Sequence, residues 1–306
     1  MIPDQNRLED LVDVSDPAAV LAEIKHIGSL LPNAVDLDAI ETVHADTIRL
    51  FGGDYPGYRA SNTKYHDLEH THAVALAAMR LMHGCALEGM IFEAKDILLG
   101  IVSTYFHDVG LIQTEEDTEG TGAKYTVGHE ERSIAFMDQY VQDLGFPPEA
   151  ANDCAQIIRC TILQKPLTDI DFRNPTIKAL GQIVGTADLL AQMADRQYLE
   201  KLLLLYEEFE EAGLPGYGSE IELLKKTKGF YESVVRQRLS QELGDMADLM
   251  VKHFNARWGL KQDFYARSIS ANLEYLARIM NNCLENPVCY LKTLRRGGIS
   301  RKKASG

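Results

Sequence analysis

The stretch Glu93-Ala94-Lys95-Asp96-Ile97-Leu98-Leu99-Gly100-Ile101-Val102-Ser103-Thr104-Tyr105-Phe106-His107-Asp108-Val109-Gly110 places Ile97, Ile101 and Tyr105 four residues apart, the spacing of one helix face. The periodicity predicts a helix over 93–108. Neighbouring residues on a regular helix point in different directions, so His107 and Asp108 can share one cation only where the helix frays or ends. Gly110 sets that end. Alone the dipeptide is a weak signal. His66, His70 and His72 before it, and His129 and Asp188 after it, strengthen it.

Outward from this segment the helical period continues in both directions. Helices are expected over about 17–31, 36–51 and 65–82, the last with Leu68, Val74, Ala77, Ala78 and Leu81 as its apolar stripe. A polar loop, 113–128, precedes a helix over 129–144 that Gly145 ends. Pro147-Pro148 opens another, to about Leu163, and Pro175 opens a long helical region to about Ala212, with a break near Asp195. Gly213 to Gly218 is the clearest interruption of the second half. Beyond it two helical stretches, about 219–255 and 261–284, lead to a basic tail. No repeat, strand ladder or phosphate-binding glycine motif is visible, so the expected class is all-α. The expected division is a main domain over 1–213, a helical extension over 214–290 packing on it, and a flexible basic tail over 291–306.

The bulk properties restrict function. The chain has 306 residues, 45% hydrophobic and 25% charged, as in soluble globular proteins. A net charge of −14 disfavours extended contact with nucleic-acid backbone. The apolar runs are too short to span a bilayer, and no secretory signal is seen. Cys85, Cys154, Cys160, Cys283 and Cys289 lack Cys-x-x-Cys spacing and are expected to be reduced thiols of a cytoplasmic protein. A homo-oligomer is compatible with these properties.

Placed on the helices, the polar groups converge on one chemistry. His66 and His70 are four apart and share a face, whereas His72 lies off it and His83 falls just past the helix. Asp188 sits among Ile183, Val184, Ala187, Leu189 and Leu190, where a carboxylate is costly without a cation or hydrogen bonds. Gly181 and Gly185 share its face and would admit close approach of another backbone. A divalent cation held by His70, His107, Asp108 and Asp188 satisfies these oddities together. Two nitrogens and two oxygens suit Mn, Fe, Co, Zn or a Mg-containing pair, one or two ions per chain. Leu202 to Leu205 is expected as core, Glu207 to Glu211 as a solvated helix face, and His26, His44, His72, His83 and His253 as structural.

The order His…His-Asp…Asp resembles the HD-domain metal-dependent phosphohydrolase superfamily. Tyr65-His66-Asp67-Leu68-Glu69-His70 is also similar to the tyrosine-His-Asn-x-x-His motif of class I cyclic-nucleotide phosphodiesterases, with Asp67 in place of the Asn. Gly128-His129-Glu130-Glu131-Arg132-Ser133 resembles the extra histidine segment of two-metal HD proteins. The resemblance covers roughly residues 40–210. It implies a multi-helix HD bundle with His70, His107, Asp108 and Asp188 as ligands of a first metal. It further implies Asp108 bridging to a second metal and His129 as a ligand of that metal or a phosphate contact.

By the same resemblance His66 is the proton donor to the leaving oxygen, and metal-bound hydroxide is the attacking group on a phosphoester of a small phosphorylated substrate, expected to be a nucleotide. His66 then needs an acidic partner, with Asp67, Glu69 or a carboxylate from elsewhere as candidates. Lys124 and Arg132 are candidate phosphate contacts, with solvated surface charges as their alternative. The glutamine-bearing purine clamp of the phosphodiesterases has no counterpart here, so cyclic-nucleotide specificity is not carried over. A phosphomonoester or alarmone hydrolase, or a non-catalytic HD signalling module, remains as an alternative.

Overall fold

A computed structural model describes residues 7–284, 286–294 and 296. Among them twelve α-helices form and no strand does; Tyr58 and Thr114 make an isolated antiparallel bridge. The fold is an all-α multi-helix bundle. The helices are α1 (Pro17–Leu30), α2 (Leu37–Gly52), α3 (Leu68–Leu87), α4 (Ala94–Tyr105), α5 (His129–Asp143) and α6 (Glu149–Ile158). They continue as α7 (Pro175–Ala194), α8 (Tyr198–Glu211), α9 (Glu220–Phe230), α10 (Met250–Trp258), α11 (Phe264–Cys283) and α12 (Pro287–Thr293).

Local sequence sets most of the starts. Asp16, Asp36, Asp67, Asn174, Ser219, Asp263 and Asn286 each accept a backbone N–H of the first turn, and Pro17, Pro175 and Pro287 stand at first helical positions. At the centre α3 packs along α7. Helices α1, α4 and α10 surround α3, and α6 and α11 flank α7. The core is continuous, running from Val20 in α1 to Leu294 after α12. Helices α10 and α11 are therefore built into the centre of the bundle through α3 and α7.

The close helix approach expected at Gly181 and Gly185 is present. A methyl group at Gly185 would lie 2.7 Å from the Cys160 carbonyl oxygen. The region after Gly213 departs from expectation. The stretch 219–255 is not one helix: after α9 the chain makes two π-helical segments, Tyr231–Val235 and Arg238–Glu242, and turns at Gly244 and Asp245, both with positive φ. Buried Arg238 ties this region to the bundle by donating to the carbonyls of Cys160, Ile162 and Lys165.

Three other expectations are corrected. His83 lies inside α3, not beyond it. Cys283 and Cys289 form a disulfide, because the end of α11 and the start of α12 bring their Cα atoms to 5.3 Å; Cys85, Cys154 and Cys160 are free and buried. Of the tail from residue 291, residues 291–293 complete α12. The Arg296 backbone N–H donates to Glu200, and its guanidinium to Arg196 O and Asn272 Oδ1. Residues 295 and 297–306 lie outside the described residues. Among the described residues no helix is long and apolar enough to cross a membrane.

Candidate metal centre

The His-Asp pair occupies the turn between the end of α4 at Tyr105 and a 3-10 turn over Val109–Leu111. Three hydrogen bonds from two side chains fasten that turn to α5. The Ser133 hydroxyl donates to His107 O at 2.6 Å and accepts from Gly110 N at 2.9 Å, while Arg132 Nε donates to Gly110 O at 2.6 Å. Gly110 has no room for a side chain, since a methyl there would collide with the His129 carbonyl. The turn and the first turn of α5 are thus pressed together, which brings His129 against Asp108.

All six residues of the expected centre come together. Asp108 Oδ2 lies 3.4 Å from His70 Nε2 and 3.2 Å from His107 Nε2. Asp188 Oδ1, from α7, lies 3.3 Å from His70 Nε2 and 3.8 Å from His107 Nε2. The other Asp108 oxygen, Oδ1, faces His129 Nε2 at 3.1 Å. One carboxylate is therefore shared between two sets of nitrogens. His66 completes the group, its ring centroid 6.0 Å from those of both His70 and His129. His70, His107 and Asp108 are buried; His66, His129 and Asp188 keep a small exposed fraction.

The tautomers are set from behind. His107 Nδ1 lies 2.7 Å from Thr104 O, and His129 Nδ1 lies 2.9 Å from Thr126 O. A carbonyl only accepts, so each Nδ1 carries the proton and each neutral ring turns its Nε2 lone pair toward carboxylate oxygen. Between a neutral ring's Nε2 and a carboxylate oxygen at these distances a positive charge must sit, either a proton on the ring or a metal ion. Among the described residues, His107 Nε2 and Asp108 Oδ2 are buried without a hydrogen-bond partner, an arrangement that costs about 1–3 kcal/mol per group when nothing compensates it.

Without an ion, the same carboxylates draw protons onto the rings, and a divalent cation would take the place of those protons. Burial alone would push His70 down, but Asp108 and Asp188 outweigh it and hold the imidazole up at about 9. His129 is likewise at about 9, burial being overcome by Asp108. His107 is raised against its burial by Asp108 and Asp188. Asp108 and Asp188 are held below the usual carboxylate range, the histidines outweighing desolvation. The donor set and the orphaned atoms fit a divalent cation: the back-side carbonyls orient the ligands as in metal-histidine sites, and the mixed nitrogen and oxygen donors suit borderline ions.

His66 has the acidic partner its expected role requires, and it comes from the distant α8. Glu208 Oε2 accepts from His66 Nδ1 at 2.7 Å, and Oε1 accepts from Lys64 N at 2.8 Å and Tyr65 N at 2.7 Å. Glu208 is buried. Desolvation would raise its carboxyl, but the His66 hydrogen bond and charge hold it low. The solvated acidic face expected over 207–211 is corrected at Glu208 alone. Glu211 stays exposed and accepts from Thr121 N and Oγ1, because the loop between the His-Asp turn and α5 packs on α8.

The two expected phosphate contacts are engaged elsewhere. Lys124 Nζ donates to Asp117 and to Glu119 O, each at 2.6 Å. Arg132 serves the Gly110 and Ile112 carbonyls and stacks on Tyr125 at 3.6 Å from the ring centroid. Their charges are spent on shaping the loop and the turn.

Comparison with known proteins adds one finding. A family model described as Npun_R2479-like matches residues 149–249, about a third of the chain. That span contains Asp188 and Glu208, whereas His66, His70, His107, Asp108 and His129 lie before it. No curated protein and no solved structure matches the chain.

Proposed function

We propose that this chain is a metal-dependent phosphohydrolase acting on a small phosphoester, a nucleotide phosphodiester, in the cytoplasm. The observation that carries the reading is the convergence of imidazole Nε2 atoms and carboxylate oxygens around Asp108, with His107 Nε2 and Asp108 Oδ2 left without hydrogen bonds. In the proposal His70, His107, Asp108 and Asp188 hold one divalent ion, and Asp108 Oδ1 with His129 offers the start of a second position. When bound, such an ion supplies Lewis acidity toward phosphoryl oxygen and toward water near neutral pH.

The rest of the chemistry falls to the chain. Glu208 takes the Nδ1 hydrogen bond of His66, which fixes the ring and leaves Nε2 to carry a proton to the departing oxygen. The packed turn held by Ser133 and Arg132 keeps Asp108 and His129 at their spacing. A reducing cytoplasm would open Cys283–Cys289, which lies outside this set of residues.

The test is a hydrolysis screen on the full chain, with cyclic nucleotides, linear dinucleotides, and nucleoside mono- and triphosphates, each with Mg, Mn, Co and Zn. The proposal expects turnover of at least one phosphodiester that chelation abolishes. Turnover confined to monoesters moves the chain to a nucleotidase-like activity. No turnover anywhere makes it a non-catalytic metal-binding module.

A further inference from the structure

Behind the metal centre a cavity of about 400 Å³ follows one face of α3, touched by Glu69, Ala73, Leu76 and Arg80. At the helical rise this face runs about 16 Å. His70 and Tyr65 line one end of it and Arg80 and Tyr265 the other; His66, His107, Asp108, His129 and Asp188 do not line it. The cavity is therefore distinct from the side of His70 that faces the carboxylates.

Arg80 is the anomaly. It is 1% exposed, and its Nη1 donates to Tyr265 Oη at 3.0 Å, but Nε and Nη2 have no hydrogen-bond partner among the described residues. The other cations of the cavity wall have carboxylates: Lys201 lies 2.9 Å from Asp195 and Arg196 lies 3.4 Å from Glu9. No carboxylate of the described residues lies within 4.0 Å of Arg80. Rings of Phe254, Trp258 and Tyr265 surround its guanidinium carbon at 5.5, 5.8 and 5.8 Å. Ring faces offset only part of the desolvation of a buried cation. Nε and Nη2 are closed to solvent in this conformation; once a turn of the side chain opens their edge to the cavity, it is the one that pairs two parallel N–H groups with two oxygens of a carboxylate or phosphoryl group.

We propose that this cavity binds a small organic anion whose carboxylate or phosphoryl group pairs with the Nε–Nη2 edge of Arg80, at a site separate from the metal centre. The inference does not rest on the phosphohydrolase reading. Glu69 and Asp13, also on the wall, suit hydroxyl or amino groups on the same ligand.

Trp258 is the only tryptophan of the chain and stands over Arg80, so its emission reports on this site. The full chain, treated with chelator and dialysed so that the metal centre cannot hold anions through an ion, is titrated with succinate and, separately, with inorganic phosphate. The expected result is a saturable change in Trp258 emission with at least one of them, the better probe identifying the head group. Arg80→Lys, which keeps the charge but not the two-donor edge, and Ala73→Leu, which fills the cavity without touching Arg80, should each weaken binding about tenfold or more. If Arg80→Lys does not fold, Ala73→Leu carries the comparison alone. No saturable change with either anion, or the same affinity in the variants as in the parent, overturns the proposal and leaves Arg80 satisfied by its rings.

Discussion

Helix α3 carries a histidine near each end, and the two are treated in opposite ways. Near its start, His70 faces Asp108 and Asp188 and is held up at about 9. Near its far end, His83 Nδ1 meets His253 Nδ1 at 2.9 Å; burial pushes His83 down, and burial together with the Arg80 charge pushes His253 to about 2. Both ends bury imidazoles. What separates them is the supply of negative charge. At the first end two carboxylates face the ring nitrogens, so a positive charge must sit between them, either a proton on the ring or a metal ion. At the second, one ring donates to the other and no cation is needed. A buried histidine is therefore informative only together with what its second nitrogen does.

The comparison can be broken most severely at Asp108, which touches both sets of nitrogens. Asp108→Asn should abolish metal-dependent hydrolysis and lower divalent-metal affinity by more than about 100-fold, the upper range for losing even an outer partner of a metal ligand. Elemental analysis and the hydrolysis assay check both. Next in size is His66→Ala, expected to slow turnover roughly 10²–10⁴-fold on substrates with poor leaving groups while metal content stays unchanged. Activated aryl phosphodiesters should suffer less. Glu208→Gln should move turnover in the same direction by less, and equal losses on both substrate types would reassign His66 to orienting a ligand.

At the other end of α3 the effect is one of stability. His253 is neutral in the fold and stays so far below its ordinary value. Unfolded chain takes up a proton below about pH 6.5, so stability falls as pH drops below that value. At pH 5 this one group contributes a loss of about 2 kcal/mol. Urea unfolding at pH 7 and pH 5 checks it, and His253→Phe should flatten the difference. Ser133→Ala, which unfastens the His-Asp turn from α5, is expected to cost about 1–3 kcal/mol and to weaken metal binding about tenfold. Lys124→Ala should leave turnover unchanged, since its partners are Asp117 and Glu119.

Much of the site could be read from spacing because His70, His107, Asp108 and His129 stand near helix boundaries the chain marks locally; Asp188, inside α7, stood out as a carboxylate among apolar neighbours. Asp67 caps α3, Gly110 sits within the 3-10 turn after α4 and Gly128 precedes α5. Glu208 could not be read this way, being one of four glutamates between 207 and 211. The phase of the buried stripe was the available signal, since Glu208 lies three residues after buried Leu205 and seven after Lys201. Arg132 and Lys124 misled because charge type says nothing of where a donor is spent. The break after α9 was hidden for a related reason: its π-helical segments keep helical composition, and only Gly244 and Asp245 mark the turn.

The most direct test of the metal centre is calorimetric titration of Mn²⁺ into chelator-treated full chain, beside Asp188→Asn. The account predicts binding of at least one ion per chain in the parent protein and its loss in the variant, with the helical circular dichroism of both unchanged. No binding by the parent, or the same isotherm for the two proteins, would contradict it.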